Sequence, residues 1–186
     1  MDIDSLATIR LSVDNEVSRR LNGKPVSCRA GCSACCHQIV YMSLAEAWDI
    51  VEKHYVAIAG MRATLTEISQ RLLSNADNFA YFGTPCPLLK NDRCSIYAER
   101  PIVCRTHNVA SPPERCQDAR DTVMRYDLRD LEARAAAAVM HASAQPHSLL
   151  PIPVALLLCL DAQSSIRAAT AANVWDLVAA AQGDQL

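Results

Sequence analysis

Eight of the nine cysteines fall into two groups, and thiolate ligation is the chemistry that such grouping suggests. The first group is the run CRAGCSACCH, which places Cys28, Cys32, Cys35 and Cys36 within nine residues. The second is spread over Cys86, Cys94, Cys104 and Cys116. Cys159 stands apart in an apolar run and reads as a small core hydrophobe. Zinc takes about four soft ligands at roughly 2.3 Å, and iron–sulfur clusters use the same ligand type over a wider span. On a helix, positions i, i+4, i+7 and i+8 share one face within an arc of about 100°. Such a stripe is also ordinary core packing, so one cysteine there would mean little. Four, followed by four more in an irregular, proline-bearing segment, fit a metal or a cluster better than packing. Gly31 argues against a continuous helix from Cys28, but a turn leading into a helix at Cys32 would still gather the thiols. Adjacent Cys35 and Cys36 would diverge by about 100° on that helix and so serve different ions, or leave one spare.

Helices must position these groups. Low glycine content, few aromatics and abundant alanine and leucine favour helix over sheet. Ile3, Leu6, Ile9 or Leu11, Val13, Val17 and Leu21 recur at a helical period, and Asn22-Gly23 followed by Lys24-Pro25 ends the run. Ser43 opens a second helix with a capping box to Glu46, carrying Ala47, Ile50, Val51 and Tyr55. Gly60 interrupts it, and a third helix is predicted over residues 61–82 with Leu65, Ile68, Leu72 and Leu73 inward. Prolines beside Cys86 forbid regular helix there. Lys90-Asn91-Asp92-Arg93 reads as a turn between two extended pieces. Pro101 begins a helical turn that carries Cys104. Ser111-Pro112-Pro113-Glu114 reads as a second capping box, opening a helix that runs through Asp127 to about Ala144. Residues 153–163 and 167–182 complete the helices. The expected fold is mainly α: one helical domain over residues 1–186 with a short irregular cysteine-rich knuckle and a small hairpin near residues 86–97. The cysteine region is 28–107 and the helical carboxy-terminal part is 111–183.

Charge and length narrow the setting. A chain of 186 residues with a net charge of −2 is long enough for a core and has no basic stripe, so nucleic acid is not an expected partner. MDIDSLATIR has no secretory pattern, which places the protein in the cytoplasm, where thiols stay reduced unless they hold metal or do redox chemistry. The apolar run from Leu149 to Leu160 is too short to cross a bilayer of roughly 30 Å and reads as a buried helix.

The run C-P-L-L-(x)4-C-S-I-Y-(x)2-R-P-(x)2-C-R, from Cys86 to Arg105, together with C-(x)3-C-(x)2-C-C, from Cys28 to Cys36, resembles the YkgJ-type cysteine-cluster family. These are bacterial and archaeal proteins described as zinc- or iron-chelating. Where the family has C-x-x-C first, this chain has three residues between Cys28 and Cys32. The resemblance implies metal ligands at Cys28, Cys32, Cys35, Cys36, Cys86, Cys94 and Cys104, with zinc or an iron–sulfur cluster bound; if iron, a 4Fe–4S cluster is expected. Seven thiols exceed one tetrahedral site. Two metals, or one centre with the remaining thiols around it, both fit, and Cys116 is open between ligand and bystander. His37 and His107, each beside a candidate ligand, are lesser candidates and read rather as histidines near the surface or as hydrogen-bond donors to a sulfur. Arg100 and Arg105 read as neutralising thiolate charge or holding the loop through carboxylates. Tyr97 and Ile96 read as packing, and Glu114, Asp118, Asp121 and Glu132 as solvated helix faces.

Two other functions compete with plain metal binding. Cys28, Cys32 and Cys35 have the spacing of radical S-adenosylmethionine enzymes, and a more distant resemblance to flagellin lysine methylases points the same way. Against this, the chain shows no alternation of strands and helices and no glycine-rich cofactor loop. A thiol-redox protein using Cys35 and Cys36 would lack the usual C-x-x-C at a strand-to-helix junction.

Overall fold

A computed structural model describes residues 3–74, 84–117, 122–143 and 149–168. The fold is mainly α. Among the described residues are α1 (Ile3–Leu21), α2 (Leu44–Lys53), α3 (Tyr55–Ala59), α4 (Arg62–Ser74), α5 (Ile102–Thr106), α6 (Arg129–Ser143) and α7 (Ile152–Ala168). Four short strands complete the set: β1 (Tyr41–Ser43), β2 (Leu89–Lys90), β3 (Arg93–Cys94) and β4 (Leu149–Pro151). β1 pairs antiparallel with β4, with Met42 opposite Leu150, and β2 with β3, with Leu89 opposite Cys94.

Most local signals act as the sequence suggests. α1 has the expected limits. The box at the start of α2 is complete, with Ser43 Oγ accepting from the Glu46 N–H and Glu46 accepting from the Ser43 N–H. The predicted turn is a two-residue hairpin with Asn91 and Asp92 at positive φ, the geometry that suits the right-handed twist of the flanking strands. Pro101 precedes α5, where its missing N–H costs nothing.

Other expectations are corrected. The second helix breaks already at His54, whose φ of −122° and ψ of 28° leave helical space, so α3 is separate before Gly60. Of the alternatives Ile9 and Leu11, Ile9 packs on the core and Leu11 is 60% exposed; Leu73, expected inward, is 66% exposed and takes no part in it. No helix opens at Ser111: a 3-10 turn covers Pro113–Gln117, and α6 begins only at Arg129. The Ser111 hydroxyl that would have capped that helix instead accepts from the Met124 N–H at 2.7 Å. Residues 108–110 and 124–126 are thereby drawn together, with an isolated bridge between Val109 and Arg125. The apolar run at 149–160 begins as strand β4 and only then becomes helix. The parts of the predicted helices at 75–82 and 169–182 lie outside the described residues.

The apolar side chains form three clusters. The largest joins α2, α4 and α7 through Ile50, Val51, Leu65, Leu156 and Leu160, and extends to Leu88 and Ile96 beside the hairpin. A second joins α1, α5 and α6 through Leu6, Val13, Ile102, Leu131 and Val139. The third, Ala34, Val109 and Cys116, has Cys28, Cys32 and Cys35 packed on it. Between the first two clusters α2 buries two acids. Asp49 pairs with buried Arg10 of α1 and, at 2.9 Å, with Lys53; Glu46 reaches the start of α5. Buried charge persists only where it is paired and hydrogen-bonded. Among the described residues no helix is long and apolar enough to cross a membrane.

Candidate metal centre

The first cysteine run is shaped by turns rather than by a helix. Gly31 has φ of 88°, a left-handed conformation that side chains other than glycine rarely adopt, and it closes a turn in which the Cys32 N–H meets the Arg29 carbonyl at 3.0 Å. A 3-10 turn at Ala34–His37 follows, so the helix expected at Cys32 is absent. Buried Ala34 fixes that turn from below. On a 3-10 turn successive side chains point about 120° apart, which separates Cys35 from Cys36 in direction.

Three other segments are stitched to this run. The Cys86 N–H donates to the Cys36 carbonyl at 2.7 Å, which ties the start of the second group to the end of the first. The Ser27 N–H donates to the Val109 carbonyl at 2.8 Å, and the Val109 N–H approaches Cys28 Sγ at 3.4 Å. Gln38 Nε2 donates to the Cys116 carbonyl at 2.6 Å. The hairpin is held by Ser95, whose N–H and hydroxyl both donate to the Leu88 carbonyl, while buried Leu88 and Ile96 anchor it in the main core.

Asp14 and Glu46 hold the remaining cysteine-bearing element. The Glu46 carboxyl accepts from the Ile102 N–H at 2.7 Å, which caps α5 and so places Cys104. Asp14 of α1 pairs with Arg105 and, at 3.2 Å, with Arg100; Arg105 also donates to the carbonyls of Arg100 and Ala98. The arginines thus act as expected on the loop, through a carboxyl that no local pattern marked. Arg100 also lies over the Tyr97 ring.

All seven candidate cysteines line one cavity of about 120 Å³, together with Arg29, Arg100, Arg105 and His107. Cys116 and Cys159 do not. Cys159 is fully buried in the main core, with its thiol toward the Leu44 carbonyl, and Cys116 is 3% exposed beneath the first run. His37 lies off the cavity; its Nδ1 and the His107 Nε2 are buried and lack a hydrogen-bond partner among the described residues. Glu132 is not simply solvated, since it accepts from the Thr106 hydroxyl at 2.7 Å and pairs with Arg125.

Burial favours the thiol over the thiolate at several of these sulfurs. Burial pushes Cys86 up to about 12 and raises Cys28 and Cys94, and it drives Cys104 well above the ordinary thiol range. Cys35 is raised first by its hydrogen bond with the Cys36 thiol and then by burial. Backbone donors oppose this at three sulfurs: the Val109 N–H at Cys28, the Leu88 N–H at Cys86 and the Ile96 N–H at Cys94, the last helped by Arg100. Donors aimed at sulfur stabilise the thiolate form, which is the form that ligates. The sulfurs fall into two neighbourhoods. Cys116 is influenced by Cys28, Cys35 and Cys32, and Cys104 by Cys35, Cys86 and Cys94. Among the described residues no three Cys, His, Asp or Glu side chains are gathered tightly enough, as they stand, to hold a metal ion. The donor set still suits one: soft sulfur ligands, backbone N–H groups directed at them and arginines alongside, around a shared cavity.

A model of the CxxCxxCC family, whose description is "putative zinc- or iron-chelating domain", matches residues 27–136, more than half of the chain. No curated protein and no solved structure matches the chain.

Proposed function

The chain belongs to the CxxCxxCC family, and from that membership we propose that it is a metal-binding protein in which Cys28, Cys32, Cys35, Cys36, Cys86, Cys94 and Cys104 hold zinc or an iron–sulfur cluster. The observation that carries this reading is the cavity shared by all seven thiols, which come from two stretches separated by about fifty residues of chain. Core packing alone would not line a shared cavity with sulfur and direct N–H groups at three of the atoms. A bound metal would supply cross-links between the Cys28–His37 run, the hairpin and α5. If the metal is iron, four thiolates around a 4Fe–4S cluster are the expected arrangement.

Loading requires the thiols to give up their protons and turn toward a common ion. The raised proton affinity of Cys28, Cys35, Cys86, Cys94 and Cys104 makes metal uptake proton-coupled, weaker as pH falls. The Leu88, Ile96 and Val109 N–H groups and Arg100 favour the deprotonated sulfurs. The nine unpaired cysteines suit a reducing, cytoplasmic setting, with residues 1–186 acting as one unit.

Limited proteolysis with and without a strong chelator tests the reading. Structural zinc in small domains is worth on the order of 10 kcal/mol. Chelation should therefore open the cysteine-bearing segments at 28–38 and 86–107 to cleavage while α2, α4 and α7, packed on one another in the main core, resist. Identical digestion patterns in both conditions would count against it.

A further inference from the structure

Resting on that metal-binding reading, we infer that the seven cavity thiols hold two divalent ions joined through one shared sulfur, that of Cys35. Cys28, Cys32 and Cys36 complete one tetrahedron around it, and Cys86, Cys94 and Cys104 the other. Two separate four-sulfur sites need eight ligands. Two that share a vertex need seven, which is the number lining the cavity.

Cys35 is the sulfur common to both sides. With Cys28 and Cys32 it packs on the cluster of Ala34, Val109 and Cys116. It also lies close enough to Cys86, Cys94 and Cys104 for its charge to act on each of them, as it does on Cys28. The second block is brought up to it by the Cys86 N–H, which donates to the Cys36 carbonyl at 2.7 Å. Cys86 and Cys94 pack on the main core and Cys104 sits on α5, so these three reach Cys35 from elements other than the first run.

Cys36 joins the first tetrahedron through its thiol. The 3-10 turn splays successive side chains, yet the Cys36 and Cys35 thiols are hydrogen-bonded to one another. Two ligands of one tetrahedral ion, each at roughly 2.3 Å, stand about 3.8 Å apart, a spacing that hydrogen-bonded sulfurs already hold. Cys116 lies outside the cavity and stays a packing residue. Two divalent ions and seven thiolates leave an excess of three negative charges. Arg29, Arg100 and Arg105 line the same cavity and offset most of it, although Arg100 and Arg105 also share Asp14. On loading, seven S–H bonds break, their protons pass to solvent, and eight sulfur–metal bonds form, two of them at Cys35. No electron is transferred.

Cadmium, a soft divalent ion observable by NMR, tests the shared sulfur in the full-length chain loaded anaerobically. Saturation at two ions per chain is expected, with two sulfur-ligated resonances. The β-protons of Cys35 should correlate with both, those of Cys28 with one only and those of Cys104 with the other only. Cys35→Ala should shift or remove both resonances, and Cys116→Val should leave both in place. If either variant fails to fold, the wild-type correlations decide alone. Saturation at one ion or at more than two, or Cys35 β-protons coupled to fewer than two resonances, would overturn the shared-sulfur inference while leaving metal binding intact. So would a folded Cys35→Ala variant that keeps either resonance unchanged, or a folded Cys116→Val variant that loses one. Failure of the wild type to bind any cadmium would overturn the underlying reading as well.

Discussion

Replacing Glu46 by alanine removes one carboxyl from beneath two helices at once. Glu46 is 4% exposed. Its Oε2 accepts from the Ser43 N–H at 3.0 Å and the Ser43 hydroxyl at 2.8 Å, and its Oε1 accepts from the Ile102 N–H at 2.7 Å. Stranding the buried Ile102 N–H costs about 1–3 kcal/mol, and loss of the reciprocal half of the capping box costs about 1 kcal/mol. With the removed methylene adding about 1 kcal/mol, the total is about 3–5 kcal/mol. Glu46→Gln separates the two contributions. An amide oxygen can still accept from Ile102, but an amide nitrogen cannot accept from Ser43, so about 1–2 kcal/mol is expected. For a chain of this length about 1 kcal/mol corresponds to about 2–4 °C in Tm, so the alanine variant should melt about 10 °C lower and the glutamine variant a few degrees lower. Metal-loaded protein followed by far-ultraviolet circular dichroism reads both. An alanine variant within about 1 °C of wild type would refute the reasoning, and so would a glutamine variant as damaged as the alanine one.

Three further outcomes are expected. Asp14→Ala leaves buried Arg105 without its carboxyl partner and should cost about 2–4 kcal/mol in urea denaturation, far more than Asp127→Ala at an exposed pair. Gly31→Ala meets no atom within 4 Å, so only its φ of 88° is penalised; a loss of about 1 kcal/mol in the same assay is expected, and none would show that the turn can change shape. His107 has its proton affinity lowered first by burial and then by Arg125. The unfolded chain therefore takes up the proton first as pH falls through about 6.5, and the wild type should lose stability there relative to His107→Gln. A wild-type-minus-variant difference that stays constant from pH 7 to pH 5, measured on metal-loaded proteins so that ligand protonation cancels, would contradict this.

Local chemistry was legible in the sequence and long-range chemistry was not. Ser43 and Glu46 lie three residues apart, and both halves of the cap they predict are present. Asn91-Asp92 specified the hairpin, and Pro101 the start of α5, because turn and cap geometry is fixed within a few residues. The second use of Glu46, on an N–H 56 residues away, had no local signature. Nor did the pairing of Asp14 with Arg105, 91 residues apart, or the β1–β4 ladder. The apparent cap at Ser111 failed for the same reason: a tertiary partner, the Met124 N–H, took the hydroxyl. In the candidate site, the grouping of cysteines carried the expectation, but the sequence could not assign Cys116. Its relation to Cys28 arises only when the Pro113–Gln117 turn folds beneath Ala34.

Metal quantified per chain, on full-length protein purified without oxygen or added chelator, bears most directly on the central idea. At least one equivalent of zinc or iron per chain is predicted, falling to background when Cys36 and Cys86 are replaced together with Cys28 and Cys32. A folded wild-type preparation with no bound metal and the seven cavity thiols free to react would contradict it.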